Sequence, residues 1–159
     1  MKYAVLATLR IGLGWTFLWP FFDKLLGLGF ATESGKAWLD GVSPTFGFLK
    51  FGAYGPLKPF FESLAGNPLV DWLFMIGLLG LGIALILGIG MRIAAYSGTL
   101  LLLLMWFALL PPKNNPFLDD HIIYALLLIM LYQTNAGDWF GLGKWWGQTM
   151  LVRKYPILK

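Results

Sequence analysis

The chain has 159 residues, 58% of them hydrophobic and 13% charged, with 12 Lys and Arg against 8 Asp and Glu for a formal net charge of +4. Soluble domains carry roughly a quarter of their residues as charges, so a mean hydropathy of +0.69 excludes an ordinary globular protein and points to the bilayer. The absence of cysteine excludes thiolate nucleophiles, disulfide relays, iron–sulfur clusters and thiolate metal sites. The basic residues are dispersed and the aromatic ones lie in apolar segments, so the pI near 9.4 implies anionic lipid as a partner and no nucleic acid.

Crossing a hydrocarbon core of roughly 30 Å takes about 20 apolar residues. The first predicted span covers residues 3–26, with Arg10 a few turns in, Pro20 near the far end, and Asp23 and Lys24 where headgroups begin. The opening MKYAVLATLR runs on without a small-residue cleavage site, so it reads as a retained span and not as a removed signal peptide. Residues 27–66 mix charges, prolines, glycines, Trp38 and several Phe, the composition of a long interfacial loop with short helices.

Asn67 and Pro68 suit an N-cap and first helical residue, and residues 69–90 give a second span of 22 residues. A short turn marked by Arg92 predicts an antiparallel third span at 93–110, which Pro111 and Pro112 stop. The fourth span, 117–134, opens after Asn115 and Pro116, and residues 135–159 form an amphipathic, aromatic and basic tail. NPLVD at 67–71 echoes NPFLD at 115–119, so both helices are expected to start alike, Asn capping and Asp facing the positive end of the dipole. The chain 1–159 thus reads as one all-α integral membrane domain, a four-helix bundle with a long interfacial loop between spans 1 and 2.

Lys2, Arg92, Lys144, Arg153, Lys154 and Lys159 fall on the side of the termini, against Lys24, Lys36, Lys50, Lys58 and Lys113 on the other. This bias implies a multi-pass cell-membrane protein with both termini cytoplasmic. On the second span Gly77, Gly80, Ala84 and Gly88 recur every three or four residues, a small-residue stripe against which a neighbouring helix can pack. Ala94 and Gly98 offer a complementary surface on the third.

Ionisable residues at membrane depth are costly and need partners. Arg10 lies near the end opposite Asp119, Asp120 and His121, which leaves it Tyr132, Gln133, backbone carbonyls or a lipid phosphate. Lys24 closes the first span where the fourth begins, so Asp23, Lys24, Asp119, Asp120 and His121 are expected in one layer. Asp120, Tyr124, Leu128 and Tyr132 share one helix face, with His121 beside it, and a polar stripe descends from a charged mouth. One histidine cannot make a bis-His haem, and zinc would need acids or a second chain. No metal or covalently bound cofactor is therefore expected. A lone His among acids suits proton relay or a hydrogen bond to a quinone carbonyl; a capped helix start at the headgroups accounts equally for the acids.

LRIGLGWTFLWPFFDKL at 9–25, LGLGIALILGIGMRIAA at 79–95 and NNPFLDDHIIYALLLI at 114–129 resemble the DoxX family of small prokaryotic membrane proteins, which includes the DoxD-type small subunit of thiosulfate:quinone oxidoreductase. Arg10, Lys24 and Arg92 carry the family pattern, and the likeness covers nearly the whole chain. It implies a four-helix membrane bundle and, for DoxD-type members, electron transfer from thiosulfate to quinone with a different second subunit; it supplies no catalytic residues. The leading expectation is therefore an integral membrane subunit of a quinone-linked oxidoreductase, in a complex with a second subunit or as a homo-oligomer. In it Lys24 and Arg10 are the substrate- or anion-binding cations, and Asp120, His121 and Tyr124 are the catalytic candidates. A noncatalytic scaffold that docks a larger complex is the alternative. A small-solute carrier is weaker, because no broken midplane helix or inverted repeat is evident.

Overall fold

A computed structural model describes every residue except Asn114. Among the described residues the chain is helical with no strand, and three helices are long and apolar enough to cross a membrane. These are α1 (Lys2–Leu26), α3 (Pro68–Leu87) and α4 (Met91–Ala108); α2 (Lys58–Ser63) lies in the long loop. A fourth apolar helix, α5 (Asp120–Gln133), has 14 residues, about 21 Å at 1.5 Å per residue, and falls short of the core thickness by itself. The tail folds into α6 (Gly143–Gln148) and α7 (Met150–Lys154).

Local chemistry sets these boundaries. Asn67 accepts a hydrogen bond from the Leu69 amide at 2.9 Å and Pro68 occupies the first turn, where no donor is needed. α3 ends at Leu87 because Gly88 takes a left-handed conformation, φ 73°, that any side chain would strain. The expected likeness between the starts of α3 and α5 does not hold. Asn115 turns its side chain to the Phe117 and Leu118 amides, whereas Asp119 accepts from the amides of His121 and Ile122. The helix therefore begins at Asp120, three residues beyond 117, since a carboxylate two residues ahead of free amide donors outcompetes the more distant Asn.

Leu13 and Phe17 of α1, Met75, Leu78, Leu81 and Leu85 of α3, Ala94 and Leu102 of α4, and Ala125, Leu128 and Leu131 of α5 form one shared core. The tight approach of α1 to α3 uses glycines outside the Gly77–Gly80–Ala84–Gly88 stripe, of which Gly88 sits instead against the tail, where a Cβ would lie 2.7 Å from the Gly137 carbonyl oxygen. A Cβ on Gly82 would lie 2.7 Å from the Leu18 Cβ, and one on Gly14 would lie 2.8 Å from the Ile86 side chain, so α1 and α3 touch backbone to backbone there. Gly77 only reaches ordinary contact with Leu101, and Gly80 has open space. Gly98 does face Leu81 and Leu128, which fill the space beside it.

The loop between α1 and α3 is also ordered. It carries a 3₁₀ turn at Trp38–Asp40, a π-helical turn at Phe48–Gly52, and α2. Leu49, Ala53 and Phe61 pack on Ala108 as a second apolar cluster over the ends of α3 and α4. The Tyr54 amide donates to the Ala108 carbonyl at 3.0 Å, closing the free end of α4. At the opposite end the tail returns to the bundle through the Leu142 amide to the Leu87 carbonyl and the Arg92 amide to the Lys159 carbonyl, both at 2.8 Å.

Candidate functional site

Buried and half-buried charged groups stand at both ends of the bundle. At the end that holds both termini, Arg10 is wholly enclosed. Its Nη1 donates to the Leu85 carbonyl and, at 3.0 Å, to that of Ile86; its Nη2 donates to the Trp139 and Phe140 carbonyls at 3.2 and 3.0 Å. The first pair are carbonyls that the last turn of α3 cannot use internally, and a guanidinium at a helix C-terminus meets the negative end of the dipole. Gly88 and Gly141 leave the room: a Cβ on either would come within 2.9 Å of an Arg10 nitrogen. Of the partners open to Arg10 in the sequence, carbonyls take the terminal nitrogens, and the Tyr132 ring lies tilted beside that of Tyr96 instead, ring centroids 6.1 Å apart. Every hydrogen bond of the guanidinium is thus to backbone; Nε is buried without a partner, and the enclosure of the side chain leaves no room beside it for an anion.

At the other end the acids are held locally. Asp23, 1% exposed, accepts from the Phe30 and Thr32 amides at 3.2 and 2.8 Å and so folds the loop that follows α1. Asp71, also buried, accepts from the hydroxyls of Ser43 and Thr45, tying the same loop to the first turn of α3. Glu33 lies exposed, and its hydrogen bond and charge pairing with Lys36 hold it below the usual carboxylate range. Asp71 with Ser43 and Thr45 has no signature in the sequence, because its partners lie 26 and 28 residues away in the loop.

His121 sits at the mouth of α5 with its Nδ1 2.9 Å from Asp119 Oδ2 and 3.7 Å from Asp120 Oδ1. Asp119 therefore both caps the helix and holds the imidazole ring. With Nδ1–H donated to Asp119, Nε2 is left as the acceptor, the tautomer that this pairing assigns. The His121 and Asp119 side chains are 14% and 17% exposed, whereas Asp120 is 71% exposed and points to solvent. Ligand-type atoms of the three lie within 4.8 Å of one another, and the cap and the imidazole contact already account for Asp119. Tyr124 is half-buried against the shared core, and Leu128, 1% exposed, fills the face below it. The stripe under His121 is packed there and not open.

Lys24 does not join that group. Among the described residues no acid lies within 4.0 Å of its ammonium, and Asp119 and Asp120 pair only with His121. Lys24 instead helps wall a cavity of about 680 Å³ between the long loop, α2, α3 and α4. Phe48, Phe60, Leu73, Gly77, Leu101 and Leu104 are among its lining, which is almost wholly apolar, while Leu73, Leu100 and Leu104 are themselves exposed on the outer face of the bundle. The groove exists only because the loop folds over α3 and α4, so spacing along the chain gives no hint of it.

Comparison of the chain with protein-family models, with characterised proteins and with solved structures gives no match in any of the three.

Proposed function

We propose that this chain is the integral membrane subunit of a quinone-linked oxidoreductase complex of thiosulfate:quinone type, resembling the DoxX family. In this reading α1, α3, α4 and α5 form a four-helix bundle that crosses the bilayer four times, α5 completing its passage with the residues that flank it, and both termini are cytoplasmic. Three long apolar helices and the shared core that includes α5 support the bundle. The charge pattern supports the orientation: the end with Lys2, Arg92, Lys144, Arg153, Lys154 and Lys159 carries one acid, Asp138, whereas the other carries five lysines and seven acids.

The single observation that carries the chemistry is the Asp119–His121 pair at 2.9 Å. Reducing a quinone to a quinol takes two electrons and two protons, so the site needs a group that can accept and pass on a proton. A carboxylate-oriented imidazole at the membrane boundary is such a group. Asp119 fixes the tautomer and ring, His121 Nε2 faces the ligand, and exposed Asp120 links it to bulk water. Tyr124, one turn along, packs against the core in this structure and would have to turn its hydroxyl toward the mouth to reach the headgroup. Electrons come from cofactors of a second subunit or directly from the donor.

The test is quinone reduction by thiosulfate with the purified protein, alone and with its copurified partner. The expected result is turnover that falls roughly 10²- to 10⁴-fold in His121→Ala, the usual contribution of a positioned acid–base group, and less in Asp119→Asn. No turnover with any partner, or turnover indifferent to His121→Ala, contradicts the proposal. A scaffold role finds its support in the tail, where Phe140, Trp145 and Met150 are 77%, 62% and 90% exposed and offer apolar anchors to another chain.

A further inference from the structure

Three polar side chains line the groove between the long loop, α3 and α4, and two of them are already committed. The Thr45 hydroxyl donates to Asp71, and the Ser97 hydroxyl donates to the Ile93 carbonyl at 2.8 Å. The third is Lys24. The charge of its sequence neighbour Asp23 acts on it at longer range, but that carboxylate is occupied by the Phe30 and Thr32 amides, and among the described residues no acid lies within 4.0 Å of the ammonium. A half-buried cation in an apolar wall is costly unless an anion or a hydrogen-bond acceptor answers it.

The shape of the groove adds to this. Its lining runs along α3 from Val70 to Leu81 and along the antiparallel α4 from Met105 to Ser97, about 16 Å on the α3 side at 1.5 Å per residue. Lys24 lies in the last turn of α1, beside the end of the bundle that carries the long loop and near the headgroup level. A volume of about 680 Å³ falls in the range that encloses a small-molecule ligand, roughly 300–1,000 Å³. Because exposed Leu73, Leu100 and Leu104 form part of the wall, the groove opens sideways onto the bilayer and a lipid can enter without leaving it.

We infer that this groove is a binding site for an anionic membrane phospholipid, one acyl chain lying between α3 and α4 and the phosphate held by the Lys24 ammonium. A zwitterionic lipid fits less well, because its own ammonium competes for the phosphate. The site is separate from the Asp119–His121 pair, none of whose residues lines it, and it stands whether or not the chain takes part in quinone reduction.

The test uses the full chain in detergent, delipidated and then titrated with phosphatidylglycerol, phosphatidylcholine, palmitate or a short-chain ubiquinone, with retained adducts counted by native mass spectrometry. Phosphatidylglycerol is expected to be retained preferentially, with Lys24→Met lowering its affinity about tenfold, as for one lost charge-assisted hydrogen bond. Lys24→Arg is expected to keep it, and Leu104→Trp, which fills the groove, to abolish it. Circular dichroism and the thermal transition of each variant show that it folds, and Lys24→Arg carries the comparison if a neutral residue does not. Equal retention of phosphatidylglycerol and phosphatidylcholine, or retention unchanged in both Lys24→Met and Leu104→Trp, overturns the inference. Lysine-dependent binding of palmitate or quinone that excludes phosphatidylglycerol also overturns it, by assigning the groove to a different ligand.

Discussion

Arg10 and Lys24 stand on one helix, fourteen residues apart, and the protein treats them in opposite ways. Arg10 is enclosed and its terminal nitrogens are taken by four carbonyls from α3 and the tail. Lys24 lines an apolar groove with no acid within 4.0 Å of its ammonium among the described residues, Asp23 acting on it only at longer range. A cation whose partners are all backbone holds a fold together, because carbonyls at a helix end exist whatever the sequence and need a donor. A cation left unanswered in an apolar wall invites a partner from outside the chain. The planar fork of Arg suits the first task and the compact ammonium of Lys the second.

The largest expected effect lies at the first of these sites. Arg10→Met leaves buried carbonyls without donors at roughly 1–3 kcal/mol each, so a loss of at least about 3 kcal/mol is expected in reversible unfolding in mixed micelles. Protease sites in the tail at Lys144 and Arg153 should open at the same time. Arg10→Lys should recover little, since one ammonium cannot span two pairs of carbonyls. Full stability in Arg10→Met would show that water answers these carbonyls as well as the guanidinium does.

A smaller effect separates the glycines. Gly82→Ala drives a Cβ into the Leu18 backbone and should cost about 1–3 kcal/mol, as overpacking does. Gly80→Ala, with open space around it, should stay within about 0.5 kcal/mol. Equal costs at the two positions would mean that α1 and α3 are farther apart than described. The last variant closes the comparison: Lys24→Met removes a half-buried cation and should cost no stability in delipidated protein, in contrast to Arg10→Met measured in the same way.

Much of the fold was legible in the sequence, for a simple reason. Apolar runs of 18 residues or more leave few alternatives to long helices, and Asn67–Pro68, Gly88 and Pro111 punctuate them with residues whose backbone preferences are strong. The start of α5 was misread because Asn115 and Asp119 are both capable caps, and only the course of the backbone between them decides which meets the free amides. Gly77 and Gly80 had the spacing of a packing stripe, yet spacing does not say which face of α3 meets α1. At the candidate sites, carbonyls were foreseen among the partners of Arg10 but not which ones, since a backbone oxygen carries no sequence signal. The groove beside Lys24 was invisible because it is made by a loop folding back over two helices.

The proposed four-span arrangement rests on α5, the shortest of the four apolar helices, crossing the bilayer. The absence of cysteine allows single-cysteine variants to be labelled in sealed spheroplasts with a membrane-impermeant maleimide. Lys36→Cys and Lys113→Cys should react in intact spheroplasts, and Lys2→Cys and Lys144→Cys only after the membrane is permeabilised. Reaction of Lys113→Cys and Lys144→Cys from the same side would mean that α5 does not cross, and would contradict the four-span arrangement directly.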